Sequence, residues 1–519
     1  MSTAAPAQRA SLGDWLAVAA GMLGALMAMV DISIVNASLP VIQGSIGATP
    51  SEGTWIGTAY LIAEIVVIPL TAWLDRVLGL RRLLLSCALL FTAFSMVCGF
   101  SANLETMVVG RIGQGLAGGV LIPTSLTIIA LRLPPAQQPL GLAFVAMVAL
   151  IGPAIGPLLG GWLTENLSWH FAFFINLPLC LLQGVMLFVA IPKAPADIGA
   201  LRNADWWGIF GMVIGLGSAA TLLEEGHREQ WFESAMIWKL AAASVLGFAM
   251  ITWGQLRAQR PVIRLALLRE RSLASAVVLM TVVGILLYTC LFMLPQFLAG
   301  VAGYNALQAG QVAFLSGAIA IPAALAYPLL ATRLDGRIIV GGAVATMALG
   351  AFFASHLTSQ SVGSAFTVTQ MLFGIGTTLS AIPLQQAVIS SVALEDTAEA
   401  SSMMSVARNL GGSIGLAAIA GFQEQRLELH RWQLNETIGA NDPEVQRQLA
   451  EQAAWFGGGG DGLSAAYLSI DAQVLLQALV MTFNDMFLAL AVIGALVVPL
   501  AWFLRTAPAG AGATAGAVH

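Results

Sequence analysis

Residues 149–163 read ALIGPAIGPLLGGWL and lie inside an apolar run long enough to cross a lipid bilayer. Six of these fifteen positions are glycine or proline: Gly152, Pro153, Gly156, Pro157, Gly160 and Gly161. In lipid, glycines four residues apart leave a smooth helix face that a neighbour can approach closely, and surrounding helices can satisfy the carbonyls that proline frees. The stretch therefore predicts either a tight helix–helix contact with a kink or a built-in bend at which two helices rock against each other. The high density of glycine and proline favours the second interpretation.

The composition indicates a membrane protein. Hydrophobic residues make up 58% of the 519 residues and charged residues only 9%, whereas soluble domains carry roughly 25% charged residues. The net charge of −5 is small and says nothing about nucleic acid, and no Lys/Arg-rich block indicates a nucleic-acid partner. The four cysteines lie in apolar runs without a CxxC pair, so they predict neither disulfides nor a metal site.

Apolar runs of about 20 residues predict an all-α membrane protein with fourteen transmembrane helices. The runs lie near 15–38, 54–74, 82–101, 105–130, 138–162, 170–191, 205–223, 236–256, 272–298, 308–331, 337–357, 362–385, 400–422 and 481–504. An even number places both termini on one side. Sixteen of the twenty-two Lys and Arg residues, Arg408 included, are then assigned to the ends or loops on that side. The positive-inside rule therefore predicts cytoplasmic termini.

If six spans form each half, the order of the spans predicts two pseudo-symmetric six-helix lobes, separated by two extra helices. The predicted parts are a cytoplasmic N-terminus at 1–14, an N-terminal lobe at 15–191, a linker with two extra transmembrane helices at 192–271, a C-terminal lobe at 272–504 and a cytoplasmic tail at 505–519. TAWLDRVLGLRR after the second span has a faint echo in ATRLDGR after the tenth, which supports an internal repeat. Repeated halves with a substrate site at their interface are typical of alternating-access transporters.

One long segment, 423–480, is predicted to lie outside the membrane on the periplasmic face. It begins with the helix-prone QEQRLELHRWQL and reaches a glycine run at 457–460. No Lys-Ser/Thr follows this run and no strand precedes it, so a flexible linker is favoured over a phosphate-binding loop. ATP is therefore not the expected energy source.

Three ionisable residues inside predicted spans are candidates for proton coupling: Asp31, Glu64 and Arg111. A charge at mid-bilayer costs at least ~2.5–3.5 kcal/mol, so buried charges usually face a cavity and have a function. An acid whose distance from Arg111 changes between conformations would bind and release protons. Two alternatives stay open: Asp31 pairs with Arg111 only to hold helices together, and Glu64 has a structural or substrate-contact role. Asp485 and Asn484 are expected to mark an interface of the last span.

Several stretches are similar to family motifs. They are Asp31-Ile-Ser-Ile-Val-Asn36-Ala-Ser-Leu-Pro40 in the first span, Arg111-Ile-Gly-Gln114-Gly115 in the fourth, the glycine and proline stretch in the fifth, Trp169 with Asn176-Leu-Pro178, and Arg408-Asn409-Leu-Gly411-Gly412-Ser-Ile-Gly415. Over nearly its whole length the chain resembles a major facilitator superfamily drug:proton antiporter of the fourteen-span branch, of the EmrB/QacA type. The resemblance implies proton coupling through the fourth-span motif and an antiporter motif in the fifth span.

The loop after the second span departs from the family pattern. The family motif opens with Gly and keeps an Asp three residues before its second Gly, whereas here Asp75 stands four before Gly79 and Thr71 or Ala72 holds the opening position. The implied cytoplasmic gate consists of Asp75, Arg76, Arg81 and Arg82. Its salt bridge is in doubt at Asp75, and simple topology-setting cations are an equally good interpretation.

The resemblance implies export of lipophilic drugs or toxic small molecules from the bacterial inner membrane, with protons as the coupling ion and no other cofactor. It also implies a periplasmic membrane-fusion adaptor, for which 423–480 is the docking candidate, and an outer-membrane channel. Export of a siderophore, fatty acid or aromatic acid and a nutrient facilitator of the same fold stay open. An enzyme is not expected, because the five histidines are scattered and form no HExxH pair.

Overall fold

The computed structural model describes residues 10–197, 199, 201, 204–226, 228–258, 261–393, 396–437 and 443–504. Within these ranges the side chains at positions 50, 51, 146, 149, 150, 153, 154, 157, 306 and 444 lie outside the description. The predicted tail at 505–519 and most of the predicted N-terminus lie outside the described residues. All regular secondary structure in the described part is helical, as the sequence predicted.

Long helices cross the molecule in series and are labelled in chain order. They are α1 (Leu12–Ile46), α2 (Trp55–Leu78), α3 (Leu80–Gly99), α4 (Leu104–Arg132), α5 (Gln138–Asn166), α6 (Phe171–Ala190), α7 (Trp206–Glu225), α8 (Ala235–Arg257), α9 (Arg271–Gly300), α10 (Ala306–Ala331), α11 (Gly336–Phe353), α12 (Thr367–Ser391), α13 (Thr397–Thr437) and α14 (Gly459–Val497). Twelve described helices are long and apolar enough to span a membrane, and α5 and α13 lie at the predicted fifth and thirteenth spans.

Shorter helical segments join or extend these helices. The α-helical turns are Pro50–Gly53, Phe171–Phe174 at the start of α6, and Pro443–Trp455 between α13 and α14. The 3₁₀ turns are Ile68–Leu70, Trp231–Glu233, Leu265–Arg269, Ala354–His356, Gly363–Phe366 and Val498–Phe503. The Ile68–Leu70 turn divides α2 where Pro69 removes a backbone donor.

Local capping fixes several helix ends. Ser11 and Asp14 form a capping box at the start of α1, and Asn305 and Gln308 form another at the start of α10. Gly47 ends α1 with φ of 70°, a conformation that favours glycine. These signals lie just outside the apolar runs, so they set the length of each span.

Two apolar cores organise the bundle. Leu83, Phe91 and Val120 belong to a core built mainly from α1–α6, here the N-terminal lobe. A second core, which includes Phe297 and Phe483, belongs to α9–α14, here the C-terminal lobe. The extra helices α7 and α8 pack together and against α2. The domain boundaries drawn from the sequence stay predictions.

The segment predicted as a loop at 423–480 is largely helical in its described part, and the two helices that flank it extend beyond the predicted spans. Helix α13 continues to Thr437, and α14 begins at Gly459 rather than near 481. The polar stretch after 423 is rich in Gln, Glu and Leu, which are strong helix formers, and therefore extends α13. The glycines at 457–459 have φ between 68° and 98° and form the turn into α14. We call 423–480 the stalk.

The bundle has two distinguishable ends. We call the end at which α1 begins the terminal end, and the end that carries the stalk the far end. Because successive spans run in opposite directions, α2 finishes and α9 and α13 begin at the terminal end. There Ala324, Tyr327 and Ile382 of the C-terminal lobe join the apolar core of the N-terminal lobe, so the lobes are in contact at this end.

Candidate functional site

A buried polar cluster occupies the middle of the N-terminal lobe and consists of Asp31, Ser95, Arg111, Gln114 and Asn176. Arg111 Nη1 donates to Asp31 Oδ2 at 2.6 Å, and both side chains are 0% exposed. Asn176 Nδ2 and Gln114 Nε2 donate to Asp31 Oδ1 at 2.7 and 3.1 Å. Both amides also reach Ser95 Oγ. We call this group the Asp31 cluster.

Hydrogen bonds in the Asp31 cluster compensate the buried charges of Asp31 and Arg111. Three donors surround the Asp31 carboxylate, and Arg111 Nε donates to the Ile56 carbonyl at 2.8 Å. Burying an ion pair costs desolvation energy that its mutual attraction barely repays, whereas removing one partner costs ~3–5 kcal/mol. The pair therefore adds little net stability, and its presence favours a role in function.

Tyr60 extends the Asp31 cluster towards α2. The Arg111 guanidinium carbon lies 4.4 Å from the centre of the Tyr60 ring, and Tyr60 is fully buried. A cation over an aromatic face at this distance is attracted by the ring quadrupole. Glu64 follows one helical turn after Tyr60 on α2, which places the second candidate acid beside the cluster without joining it.

Glu64 instead meets the C-terminal lobe. Its side chain is 3% exposed, and Asn409 Nδ2 of α13 donates to Glu64 Oε1 at 3.4 Å. Tyr288 of α9 donates its hydroxyl to Asn409 Oδ1 at 3.3 Å. Arg408 precedes Asn409 on α13, so a cation lies close to Glu64. A single long hydrogen bond and a neighbouring charge thus connect the lobes at Glu64.

A cavity of about 830 Å³ of empty space lies between the lobes. Its walls come from both lobes and are mostly apolar, with Gln385, Ser405 and Arg408 among the polar groups. The assignment of Arg408 to the loop side of the membrane was wrong. Because α13 begins at Thr397, Arg408 stands three turns inside the helix and reaches the cavity wall.

The glycine stretch of α5 packs against α1 of the same lobe. A Cβ added at Gly152 would lie 2.9 Å from Met29 Cβ, and one at Gly160 would lie 2.8 Å from the Ile34 carbonyl oxygen. A Cβ at Gly156 would overlap Ser33, whereas nothing lies within 4 Å of one at Gly161. Three of the four glycines therefore allow close contact, and rocking at this stretch stays a prediction. The side chains of Pro153 and Pro157 lie outside the described residues.

The Arg408 motif builds a matching contact in the other lobe. A Cβ added at Gly411 would overlap the Thr281 carbonyl of α9, and one at Gly412 would lie 2.6 Å from the Tyr288 ring. Close approach of α13 to α9 therefore depends on these two glycines. The same contact holds Asn409 beside Tyr288, so the motif both packs the lobe and presents its polar groups.

The terminal end carries an ion-pair network between the lobes. Arg76 at the end of α2 pairs with Glu399 in the first turn of α13. Arg264, in the segment that precedes α9, pairs with the same Glu399 at 3.4 Å and with Asp396 at 2.6 Å. Glu399 is 2% exposed at its side chain, so this contact excludes water on one side. We call these four residues the terminal latch.

The other predicted gate residues do not bridge the lobes. Arg81 donates to the Ile191 carbonyl at 3.2 Å and covers the Phe188 ring at 4.2 Å, both on or beside α6. Arg82 is exposed. The Asp75 carboxylate forms no ion pair among the described residues, which agrees with the departure of this loop from the family pattern.

The remaining motif residues lie outside the Asp31 cluster. Asn36 and Pro40 are exposed on the far half of α1. Trp169 is buried at the far end and stacks on His170 with ring centres 3.8 Å apart. A Cβ at Gly115 would overlap the Tyr60 carbonyl, so this glycine sets the spacing of α4 and α2.

Sequence reasoning missed Glu399, Asp396 and Arg264 as site residues. A signal was present, since two acids open the thirteenth span at the end where predicted cations concentrate. Asp485 contacts Arg426 Nε and His430 Nε2 through its carboxylate at 2.6 and 2.7 Å. Asn484 forms hydrogen bonds of 2.8 and 2.9 Å with the Leu357 backbone. The expectation that these two residues mark the interface of the last span stays a prediction.

Known proteins match the chain over most of its length. A model of the Major Facilitator Superfamily matches residues 21–416. The colistin resistance protein EmrB of Acinetobacter baumannii is 32% identical over 484 residues, covering 92% of this chain and 94% of that protein. The multidrug export protein EmrB of Escherichia coli K12 is 28% identical over 500 residues, covering 96% of each chain.

The chain is also similar to a third bacterial relative and to a solved structure. The fatty acid resistance protein FarB of Neisseria gonorrhoeae is 28% identical over 497 residues, covering 95% of this chain and 96% of that protein. The crystal structure of the human organic anion transporter MFSD10 (TETRAN) superposes with a TM-score of 0.55 at 16% identity, covering 93% of this chain and 99% of that one. The structural match extends to nearly every helix and shows a common fold.

Proposed function

We infer that this protein, which belongs to the major facilitator superfamily and is a drug efflux permease of the EmrB type, expels lipophilic small molecules in exchange for protons. It does so by alternating access, with both termini in the cytoplasm and the stalk in the periplasm of a bacterial inner membrane. The observation that carries this proposal is the path from the Asp31 cluster through Tyr60 to Glu64 at the lobe interface, beside the central cavity.

The two buried acids have different tasks in this proposal. Asp31 accepts three hydrogen bonds, including one from Arg111, so its charge is compensated within the N-terminal lobe. Glu64 accepts one bond of 3.4 Å from across the interface. We therefore assign proton carriage to Glu64, and to the Asp31 cluster the task of holding Arg111 and Tyr60 in place next to it.

Protonation of Glu64 couples to lobe movement through Arg408 and Asn409. The charged carboxylate attracts Arg408 across a poorly solvated interface, where attraction is stronger than in water. A proton removes this attraction and weakens the tie between α2 and α13. A ligand or proton shifts a conformational equilibrium only by its differential affinity for the two states, and this contact supplies that difference.

The terminal latch keeps the cavity closed to the cytoplasm in the conformation described here. Arg76 and Arg264 both bind Glu399, so the N-terminal lobe and the segment before α9 are tied to the same point on α13. Opening to the cytoplasm requires these pairs to separate. The positive end of the α13 dipole also favours acids in its first turn, which strengthens the closed arrangement.

The proton gradient supplies enough energy for this task. One charge crossing ~100 mV releases ~2.3 kcal/mol, and each tenfold concentration ratio requires ~1.4 kcal/mol. One proton per cycle therefore supports a gradient of one to two decades. That suffices against compounds that leak back slowly through lipid.

The stalk is the proposed docking site for a periplasmic membrane-fusion adaptor that continues to an outer-membrane channel. Exposed Trp432, Trp455 and Leu468 supply apolar contact area there. The base of the stalk is fixed by the contacts of Arg426 and His430 with Asp485. Deletion of 425–475 should abolish co-purification of such an adaptor, and an adaptor that still co-purifies would refute this part.

Proton-driven export in proteoliposomes tests the coupling. We expect Glu64→Gln to abolish the response of export to an imposed pH gradient while substrate still binds. Asp31→Asn should reduce both coupling and stability, because Arg111 loses its charged partner. Glu451→Gln is the matched control, since Glu451 lies in the stalk and pairs only with exposed Arg447 among the described residues. Normal gradient-driven export by Glu64→Gln would refute the assignment.

Export of amphipathic acids is a second candidate. Arg408 is the one charged side chain on the described lining of the cavity, and a carboxylate could bind it while the apolar walls hold a hydrocarbon tail. The fatty acid resistance protein FarB is similar over nearly the whole chain. Competition between decanoate and a neutral lipophilic dye for binding, lost in Arg408→Gln, would support this candidate. Unchanged competition would exclude it.

A further inference from the structure

Pairs of residues in the two lobes stand at the same number of residues from the start of equivalent helices. Asp31 stands nineteen residues after the start of α1 at Leu12, and Cys290 stands nineteen after the start of α9 at Arg271. Arg111 stands seven residues after the start of the fourth span at Leu104. The equivalent span consists of the 3₁₀ turn that begins at Gly363 and α12, which follows it directly. Gln370 stands seven residues after Gly363. Both spans are 29 residues long.

Helix packing supports the same correspondence independently. Gly115 and Gly374 each stand four residues after the corresponding Arg111 and Gln370. A Cβ added at Gly115 would overlap the carbonyl of Tyr60, and one at Gly374 would overlap the carbonyl of Ser316. Ser316 on α10 therefore corresponds to Tyr60 on α2. The sequence echo between the loops that follow α2 and α10 agrees with this pairing of helices.

The C-terminal lobe thus holds an uncharged counterpart of the Asp31 cluster. Cys290 replaces Asp31 and Gln370 replaces Arg111, and the two side chains line the same pocket. One turn after Ser316, Ala320 stands where Glu64 stands after Tyr60. This group contains no buried carboxylate that could take up a proton, so it contributes only neutral hydrogen bonds.

A narrow side pocket, with room for a group of about the size of one water molecule, lies at this counterpart. Its lining includes Cys290, Ser316 and Gln370, all largely buried, together with Leu287 and Thr377. Leu287 and Thr377 also line the central cavity, so the pocket branches from it. A molecule in the cavity can therefore place a small end group in the pocket while its body stays between the lobes.

The hydrogen bonds already made in the pocket decide which end group fits. Ser316 Oγ donates to the Ala313 carbonyl at 2.8 Å, and Thr377 Oγ1 donates to the Phe373 carbonyl at 2.6 Å. The proton of each hydroxyl is used in these hydrogen bonds, so each oxygen can only accept a hydrogen bond from a ligand. The Gln370 carboxamide adds its carbonyl oxygen as a further acceptor, next to its own N–H donors. An uncharged group with N–H or O–H donors satisfies these acceptors, whereas a full charge finds no opposite charge on the described lining.

We propose that this side pocket is a second subsite of the exporter, which binds the uncharged hydrogen-bond-donating end of a substrate, such as a primary amide or hydroxyl. The proposal rests on the proposed export function, because it places the rest of the substrate in the central cavity. In this proposal the N-terminal lobe binds and releases the proton, and the C-terminal lobe binds the polar end group of the substrate.

Protection of Cys290 from a thiol reagent tests the subsite. In a chain with Cys87→Ala, Cys98→Ser and Cys180→Ala, Cys290 is the one cysteine left for methyl methanethiosulfonate to label. Labelling requires that the reagent enters the pocket from the central cavity, so a Cys290 that stays unlabelled in the substrate-free protein would itself overturn the proposal. Decanamide, which has N–H donors, should slow labelling at about fivefold lower concentration than N,N-dimethyldecanamide, which has none, because one neutral hydrogen bond is at stake. Equal protection by the two amides would overturn the proposal without any further variant.

Variants locate the effect. Gln370→Met and Ser316→Ala, made in turn, should erase the preference for decanamide. Gln183→Met is the matched control: Gln183 is equally buried but donates to the Ala20 carbonyl in the other lobe, so the preference should persist. A preference that survives Gln370→Met would overturn the subsite. If protection behaves as expected but no proton-driven export occurs, the proposed function fails instead, and the two outcomes are distinguishable.

Discussion

Replacing Gly160 by alanine should separate the two helices that the glycine stretch holds together. The added Cβ would lie 2.8 Å from the Ile34 carbonyl oxygen and 3.2 Å from Ala37 Cβ, closer than carbon atoms approach such groups. The obstacle is backbone, which cannot rotate away as a side chain can. Helices α1 and α5 must therefore move apart by a few tenths of an ångström.

The cost of that movement follows from known overpacking. Inserting a methyl group into a packed interior typically costs ~1–3 kcal/mol. Separation would also stretch the hydrogen bond of 3.4 Å that Ser38 Oγ donates to the Gly160 carbonyl. Alanine in place of glycine gains ~1 kcal/mol of helix propensity, so the net loss should be ~0–2 kcal/mol. Thermal unfolding of purified protein in detergent, followed by tryptophan fluorescence, measures this loss.

The adjacent glycine is the control. Gly161→Ala has the same gain in helix propensity, and nothing lies within 4 Å of its added Cβ. We expect this variant to be as stable as the wild type or slightly more stable. The difference between the two variants then reports the α1–α5 contact alone, at ~1–3 kcal/mol. Equal stability of Gly160→Ala and Gly161→Ala would refute the reasoning.

Three further outcomes are expected. Glu399→Gln should loosen the terminal latch and speed hydrogen exchange at 75–82 by about tenfold; unchanged exchange would mean that the latch does not hold this end closed. Asp485→Asn should weaken the contact with Arg426 and speed proteolysis within the stalk, and an unchanged cleavage rate would contradict its anchoring role. Arg111→Met should destabilise the protein by ~3–5 kcal/mol, and adding Asp31→Asn should recover part of the loss; additive losses would argue against a coupled pair.

The sequence predicted the parts of the fold that depend on local physics. Apolar runs of about 20 residues predicted the helices, because a helix of that length satisfies its own backbone hydrogen bonds in lipid. The cost of buried charge singled out Asp31 and Arg111, which the structure brings within 2.6 Å. Their roles in proton coupling stay predictions.

Contacts between distant helices could not be predicted in the same way. Arg76 and Glu399 are separated by 323 positions, and nothing local indicates that α2 and α13 meet. The depth of Arg408 depended on where α13 begins, and helix ends are the least certain part of such a prediction. The uncharged counterpart at Gln370 became visible only when equivalent depths in the two lobes could be compared.

The length of α13 has a mechanical consequence. Forty-one residues at 1.5 Å each make an uninterrupted rod of about 60 Å, whose first turn holds Glu399 and whose last turns form one side of the stalk. Tilting such a rod by about 10° about its inner tip sweeps the outer tip through about 10 Å. A protein bound to the outer tip would therefore be displaced each time the terminal latch at the opposite end opens.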